Sequence, residues 1–255
     1  MGNTVEDNLT AYDHPDKYDE LYSGYTEDLR YIMEAAKGVT APIVELACGT
    51  GRLTVPMAMR GWQMIGVDIH AGMLELAKRK AEKEVLTIRF EQQDCTELNL
   101  GLVTPLIFMT GNSFQHFLTN DSQDRLFQSV KAHLEPGGEF VFDTRNPLLA
   151  ELASGEKAEE RKTDAQGNTI VERNTEVYDH LAQILHCQME QETWKSGECM
   201  SEETEAISLR YTFPMELERL LHTHGFEMIH LYGSWRKDLF TKDSVSIVVH
   251  CRSME

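Results

Sequence analysis

The stretch E-L-A-C-G-T-G, residues 45–51, contains residue types that could bind a ligand. In it an acidic residue precedes a turn with two glycines. Glycine lets a backbone approach a ligand closely, and the helix expected after the turn presents unpaired N–H groups at its N-terminus. The carboxylate of Glu45 suits a ligand with a cationic or amine group and repels a phosphate. The pattern therefore predicts a binding turn for a ligand that carries positive charge.

Two further carboxylates end the next two predicted strands. Asp68, in G-V-D-I, is placed to accept hydrogen bonds from both hydroxyls of a ribose, and its alternative role is to cap the helix that starts near Ala71. Asp94, in Q-Q-D-C, can accept from the exocyclic amine of an adenine or can be a turn residue. Together the two aspartates favour a nucleoside ligand.

These residues need a scaffold that brings strand ends together. Between residues 43 and 144, short β-rich runs alternate with helical patterns, which is typical of a parallel sheet with crossover helices. The predicted strands are residues 43–48, 63–69, 88–93, 106–110 and 139–143, and the predicted helices are residues 52–60, 71–84 and 122–134. The expected fold is an α/β doubly wound core.

The rest of the chain divides around this core. Residues 1–37 are predicted to form an N-terminal lid, and residues 38–150 and 213–255 the core, which ends in a helix after Pro214 and an antiparallel hairpin from residues 227–234 and 245–251. Period-two alternation within residues 151–212 predicts an inserted meander of three antiparallel strands that caps the acceptor side. The run G-E-K-A-E-E-R-K, residues 155–162, is predicted to be a solvated helix or loop.

At these motifs the chain resembles the class I S-adenosylmethionine (SAM)-dependent methyltransferases. The resemblance is carried by E-L-A-C-G-T-G, by G-V-D-I and by the Q-D pair at residues 93–94, and the order of elements extends it from about residue 12 to residue 251. It implies a Rossmann-like, seven-stranded sheet with SAM as cofactor. The implied cofactor-binding residues are Tyr12, Tyr22, Glu45, Ala47, Cys48, Gly49, Thr50, Gly51, Asp68, Ile69, Met73, Asp94, Cys95, Thr110, Gly111 and Asn112.

The resemblance also assigns roles within this set. The backbone of the glycine turn would hold the methionine part of SAM, with Glu45 orienting the loop or approaching the amino group through water. Asp68 would hold the ribose, Ile69 and Met73 would flank the adenine, and Asp94 with Cys95 would contact its edge.

The N-terminal segment Y-D-H-P-D-K-Y-D-E-L-Y, residues 12–22, is similar to the lid of small-molecule methyltransferases, including amino-sugar N-methyltransferases and glycine N-methyltransferase-like enzymes. Tyr12 or Tyr22 would contact the carboxylate or sulfonium region of SAM, since an aromatic face or a hydroxyl suits that cation. The alternative is that these tyrosines pack onto the core, as aromatic residues at near-helical spacing often do.

The segment T-G-N-S-F-Q-H-F, residues 110–117, lies where the family contacts both cofactor and acceptor, but it lacks the N-P-P-type motif of nucleobase and glutamine methyltransferases. His116 is the candidate general base because its ordinary pKa is near neutral, and the alternatives are a packing or capping role, or catalysis by positioning alone. Residues predicted to lie on the acceptor side, or else at the surface or a sheet edge, are Arg145, Tyr211, Trp235 and Arg236.

Composition limits the classes of partner that the chain is expected to bind. The formal net charge of −18 opposes nucleic acid and anionic membranes and favours a small-molecule acceptor for a monomer or homodimer. Five widely spaced cysteines without a C-x-x-C pair indicate reduced thiols and a cytoplasmic location, and no metal site is predicted.

Two other classes compete with methyl transfer to N or O of a small molecule. An NAD-dependent oxidoreductase is disfavoured because Thr54 replaces the third glycine of G-x-G-x-x-G and because Glu45 would repel a pyrophosphate. A non-catalytic SAM-binding regulatory protein shares every binding residue with an enzyme, because methyl transfer needs few catalytic side chains.

Overall fold

A computed structural model describes residues 7–164 and 166–254. The helices are α1 Pro15–Tyr22, α2 Glu27–Ala35, α3 Thr54–Met59, α4 Ala71–Lys83, α5 Asn120–His133, α6 Leu149–Ser154 and α7 Pro214–Thr223. The strands are β1 Ile43–Leu46, β2 Met64–Asp68, β3 Arg89–Gln92, β4 Thr104–Met109, β5 Leu134–Arg145, β6 Glu156–Thr163, β7 Thr169–Asp179, β8 Ile184–Lys195, β9 Glu198–Arg210, β10 Phe226–Tyr232 and β11 Ser246–Ser253.

The main sheet has seven strands in the order β10-β11-β5-β4-β1-β2-β3. Strands β1 to β5 pair in parallel, whereas β11 is antiparallel to both β5 and β10. The Rossmann-like doubly wound sheet with a terminal antiparallel hairpin is therefore confirmed. The strand order reverses between β1 and β4, and ligands of such sheets bind in the crevice at that point.

Apolar side chains cover both faces of this sheet. On one face, Phe127 of α5 and Leu217 of α7 pack over Phe142 and Ile247, and on the other, Ile32 and Met57 join a second cluster with Phe108 and Val248. Strand β1 is buried along its whole length, as expected for the central strand of a parallel sheet. The core therefore holds the carboxyl ends of β1, β2 and β4 in fixed positions.

The insertion contains four strands, in the order β6-β7-β8-β9, and not the predicted three. The prediction of a solvated helix or loop at residues 155–162 was wrong, because most of this run forms β6. Every β6 side chain from residue 157 to residue 163 is exposed, so β6 lacks the apolar alternation that marks a half-buried strand. Antiparallel backbone pairing with β7 holds it, and its exposed side chains add cross-strand ion pairs, including Lys162 with Glu172 and Arg173 with Glu159.

The N-terminal segment packs into the second apolar cluster through α2 and is also held by polar contacts. Thr50 donates to Asp19 of α1 at 2.7 Å, and Lys80 of α4 is paired with the same carboxylate. Arg52 forms a two-pronged ion pair with the fully buried Asp28 of α2. These contacts hold α1 and α2 over the turn that follows β1. No helix in the described part of the chain is long and apolar enough to cross a membrane.

Candidate active site

A cavity of about 290 Å³ lies at the carboxyl ends of β1, β2 and β4, where the strand order reverses. Its volume is at the lower end of the range for small-molecule sites, ~300–1,000 Å³. The sequence-predicted residues that line it are Tyr12, Ala47, Gly49, Asp68, Ile69, Met73, Asp94, Cys95, Gly111 and His116. The structure thus brings the glycine turn, both aspartates and part of the lid to one wall.

The turn after β1 has a backbone that most residues avoid. Gly49 and Gly51 have φ values of 54° and 75°, and Ala47 also lies in the left-handed region with φ of 50°. A Cβ on Gly51 would lie 3.2 Å from the Cβ of Ala77, so this glycine lets the turn pack against α4. Strained, non-glycine backbone at a cavity wall is typical of a functional site.

Asp68 joins two parts of the wall. One of its oxygens accepts from the backbone N–H of Gly49 at 2.7 Å, and the other accepts from the N–H of His70 at 2.8 Å. The cap of α4 is His70 and not Asp68, since the His70 ring accepts from the N–H of Met73. Burial raises the pKa of Asp68, and these backbone donors oppose that shift. Each oxygen retains a lone pair that a ligand hydroxyl can use.

Asp94 serves the local backbone as well as the cavity. Its Oδ1 accepts from both the N–H and the hydroxyl of Thr96 at 2.8 Å, which caps the short 3-10 helix Cys95–Glu97. The capping bonds use Oδ1 only, and the carboxylate lines the cavity beside Cys95. The two alternatives from the sequence, a turn residue and a ligand contact, are therefore compatible.

Glu45 lies beneath the cavity and not in its wall. It is 3% exposed, and Thr54 Oγ1 donates to its carboxyl group. Burial raises the pKa of Glu45 to about 8, although the hydrogen bond from Thr54 and the nearby Arg52 favour the charged form. Thr54, the residue in place of a third glycine, therefore anchors this carboxyl group, which supports the glycine turn from below.

His116 is held by two residues of the 3-10 helix Asp7–Tyr12. Its Nδ1 lies 3.1 Å from Nδ2 of Asn8, and its Nε2 lies 2.8 Å from the hydroxyl of Tyr12. Burial lowers the pKa of His116 to about 4. Because Asn8 Nδ2 is a donor, Nδ1 of His116 is the acceptor and Nε2 carries the proton. In this arrangement neither ring nitrogen offers a free lone pair for the proton of an acceptor, so the geometry does not favour the role of general base.

In His70, the second histidine of the cavity wall, both ring nitrogens also have hydrogen-bond partners. Nδ1 of His70 accepts from the N–H of Met73 at 3.2 Å, and Nε2 faces Asp13 at 3.3 Å. In the neutral ring the proton therefore lies on Nε2, directed at the Asp13 carboxylate. Neither cavity histidine is arranged to take a proton from an acceptor.

Several predicted residues lie outside this wall. Tyr22 is 50% exposed and packs on Tyr18, so the lid contacts the cavity through Tyr12 and Tyr18 and not through Tyr22. Others support the wall from behind, because their side chains or backbone bond to neighbouring elements. These are Cys48, which packs under Gly66; Thr50, bonded to Asp19; Gly51, against Ala77; Thr110, whose carbonyl accepts from Ser113; and Asn112, whose N–H donates to Asp143.

The predicted acceptor-side residues do not line the cavity either. Trp235 is buried and donates from Nε1 to Asp143 at 3.1 Å, and Arg236 is paired with Glu27 at the surface. Tyr211 packs edge-on against Tyr178 in a small cluster under the inserted sheet. Arg145 ends β5, opposite Ser246 of β11. These side chains close the core or stay at its edge.

Asp143, at the end of β5, was missed by the sequence analysis. It accepts from the N–H of Asn112 at 2.9 Å, and burial raises its pKa to about 7. Asn112 has a left-handed φ of 58°, so this bond fixes a strained turn next to Gly111 of the cavity. An acidic residue at the end of a buried strand was the available signal.

Other missed residues come from the lid, from the segments after β2 and β3, from the loop after β4 and from the start of α5. Tyr18 belongs to the same tyrosine-rich segment as Tyr12, so its spacing offered a signal. The further missed wall residues are Asn8, Leu9, His70, Thr96, Ser113, Phe117, Leu118, Thr119, Ser122 and Arg125.

A second, smaller cleft of about 140 Å³ lies between Ala11 and the inserted sheet. Glu176 of β7, Cys187 of β8 and Glu205 of β9 line it. Because Ala11 and Tyr12 are adjacent in the 3-10 helix, this helix separates the cleft from the main cavity. The inserted sheet therefore lies close to the main cavity, and its role as a cap on the acceptor side stays a prediction.

The family comparison finds a methyltransferase domain model that matches residues 43–138. A curated relative, the putative methyltransferase YqeM of Bacillus subtilis (strain 168), is 28% identical over 216 residues, which cover 83% of this chain and 84% of the relative. Several other curated methyltransferases align over less than half of their own length.

Solved structures show the same fold. A SAM-dependent methyltransferase from Clostridium acetobutylicum ATCC 824 superimposes with a TM-score of 0.79 at 20% identity, covering 94% of this chain and 99% of the other. The sugar N-methyltransferase KedS8 from Streptoalloteichus sp ATCC 53650 gives a TM-score of 0.69 at 19% identity, with 93% of each chain covered.

Proposed function

We propose that the chain, a class I SAM-dependent methyltransferase, transfers the methyl group of SAM to an amine nitrogen of a small-molecule acceptor. The choice of nitrogen rests on the two cavity histidines, His70 and His116, because Nδ1 of each ring already accepts a hydrogen bond. A hydroxyl acceptor needs a base to take its proton, whereas a neutral amine presents its own lone pair. The described wall therefore suits an amine better than an alcohol.

The residues of the cavity fit SAM. Asp68 has free lone pairs for ribose hydroxyls, and Gly49 and Ala47 place bare backbone at the wall next to it. Asp94 and Ile69 line the same wall, where a purine amine and a purine face need an acceptor and an apolar surface. When bound, SAM supplies a methyl group already activated on a sulfonium. The chain's own residues then have to bind, orient and exclude water.

The lid contributes two phenol side chains to the cavity wall. Tyr12 and Tyr18 line the cavity, and burial raises the pKa of Tyr18 to about 12 and that of Tyr12 further. Both phenols therefore stay protonated at neutral pH and keep a hydroxyl donor at the wall.

The negative charge of the chain favours an acceptor that carries an amine. The cleft beside the lid carries Glu176 and Glu205, and the whole chain has a net charge of −18. A negative field raises the local concentration of amines, which are cationic before they lose a proton. The sugar N-methyltransferase KedS8 shares the fold, which makes amino sugars the first acceptor class to test.

The test is a transfer assay with SAM labelled with ¹³C in its methyl group. Matched pairs of acceptors are used, each an aminodeoxy sugar or other small amine and the same compound with a hydroxyl in place of the amine. We expect labelled N-methyl product from amino members only. Equal labelling of the hydroxyl members would contradict the proposal, and binding of SAM without transfer to any acceptor would favour a non-catalytic regulatory protein.

A further inference from the structure

The side chain of Asn8 connects the inserted sheet to the lid and to His116. We propose that Asn8 is a positioning residue that fixes the tautomer of His116 and so directs the hydroxyl proton of Tyr12 into the cofactor cavity. This inference rests on the proposed function only in treating the cavity as the SAM site.

The orientation of the Asn8 amide is set by the backbone of β9. The N–H of Ser208 donates to Asn8 Oδ1 at 2.6 Å, and Asn8 Nδ2 donates to the carbonyl of Ser208 at 3.0 Å. A backbone N–H only donates and a carbonyl only accepts, so the flipped amide would lose both bonds. Asn8 is 4% exposed, and a buried unpaired donor or acceptor is costly. The Nδ2 group therefore faces both Ser208 and His116.

The second proton of Asn8 Nδ2 determines the state of His116. It is directed at Nδ1 of His116, 3.1 Å away, which must then be unprotonated. The neutral ring carries its proton on Nε2, and this proton is donated to the Tyr12 oxygen at 2.8 Å. The direction of every hydrogen bond from Ser208 to Tyr12 follows from one amide.

The polarity of Tyr12 is the functional consequence. Because its oxygen already receives a proton from His116, the Tyr12 hydroxyl is free to donate to a ligand. Tyr12 lines the cavity together with Gly49 of the glycine turn. A donor at this place suits a carboxylate, such as that of the methionine part of SAM. If Nδ1 of His116 carried the proton instead, Nε2 would accept a hydrogen bond from the Tyr12 hydroxyl. The cavity would then lose this donor.

The direct test is ¹⁵N NMR of the histidine rings in the ligand-free protein. In the wild-type chain we expect His116, assigned with the variant His116→Gln, to be neutral with its proton on Nε2. In Asn8→Asp, which has only acceptors at this position, we expect a proton on Nδ1. A proton on Nδ1 in the wild type, or an unchanged tautomer in a folded Asn8→Asp variant, would overturn the proposal. The wild-type spectrum decides the case if the variant does not fold.

The second readout is affinity for S-adenosylhomocysteine (SAH), which keeps the carboxylate of SAM. We expect Asn8→Asp and Tyr12→Phe each to weaken SAH by about tenfold and the double variant to be no weaker than Tyr12→Phe alone. Additive losses would show that Asn8 does not act through Tyr12. The matched control is Asn99→Asp at an exposed site, with unchanged affinity. Failure of the wild type to bind SAH would refute the proposed function but leave the tautomer result standing.

Discussion

Among single residues, Glu45 shows that a residue of the binding motif can support the site without lining the cavity. The sequence places a carboxylate in the binding motif, and its charge suggested an encounter with a cationic ligand. The structure buries this group under the turn, with Thr54 as its donor. Burial then favours the neutral acid, and the charged residue of the motif becomes a structural one.

This placement predicts an effect of pH on stability. The pKa of Glu45 is about 8 in the folded chain against an ordinary 4.5, so the unfolded chain releases this proton first and the folded state loses stability as pH rises from 4.5 to 8. Glu45→Gln removes this loss. In urea unfolding, the stability of Glu45→Gln relative to wild type should rise by about 3–5 kcal/mol over this range. A constant difference, as expected for the exposed control Glu75→Gln, would contradict the burial account.

Hydrogen-bond direction is also a residue-scale property, and it was out of reach of the sequence. T-G-N-S-F-Q-H-F suggested His116 as a group near the ligand, and the structure places it in the cavity wall. Its state depends on Asn8, which is 108 residues away in the chain. Motif spacing predicted part of the wall, whereas the protonation of its residues depends on partners from distant segments.

At the scale of elements, the parallel strands could be predicted because each pairs a short apolar run with a turn or helix signal. Strand β1 and helix α4 were predicted close to their observed bounds for this reason. Strand β6 could not be, since its side chains are exposed and its partners are charges on β7. Strand β5 also extends through P-G-G, where its register with β4 shifts. Tertiary pairing overrides local signals in both cases.

The lid is an element whose removal should affect binding more than folding. Its described residues before α2, 7–26, contact the core mainly through polar groups, and none of them belongs to the buried clusters of the main sheet. Deleting residues 1–24 should leave the far-ultraviolet circular dichroism of the sheet intact and weaken SAH binding at least about tenfold, because Tyr12 and Tyr18 are lost. Calorimetric titration measures the affinity. Retained affinity would show that the segment is not a lid, and the exposed Tyr22→Ala serves as the control.

The terminal hairpin is joined to the parallel sheet by a charged contact that depends on pH. Glu139 of β5 accepts from His250 and Arg252 of β11, each at 2.8 Å, and these bonds lower its pKa to about 2. The stability from this carboxylate is present above the ordinary pKa of 4.5 and is lost as pH falls to about 2.

The variant Glu139→Gln tests this contact. It should be less stable than wild type by about 1 kcal/mol at pH 7, a value reduced by solvent screening, and the difference should shrink as pH falls from 4.5 towards 2. Chemical denaturation at several pH values measures it. A difference that is the same at pH 3 and pH 7 would mean that the charge of Glu139 does not link β5 to β11.

In the whole molecule, the two sheets have different roles. The seven-stranded sheet positions the residues of the cavity. The four-stranded sheet bonds to the lid through the backbone of Ser208 and lines the acidic cleft. The sequence predicts an insertion near the cavity, because connections after parallel strands collect at the carboxyl edge of the sheet. The identity of the acceptor depends on side chains that meet only in three dimensions, such as Glu176 and Glu205.

Calorimetric titration with SAH and with NAD measures whether the cavity at the carboxyl ends of β1, β2 and β4 binds SAM. We predict one SAH site per chain, an affinity loss of about 10- to 100-fold in Asp68→Asn, and no loss in the exposed control Asp243→Asn. NAD should not show saturable binding. Unchanged SAH affinity in Asp68→Asn, or NAD binding as tight as that of SAH, would contradict the account.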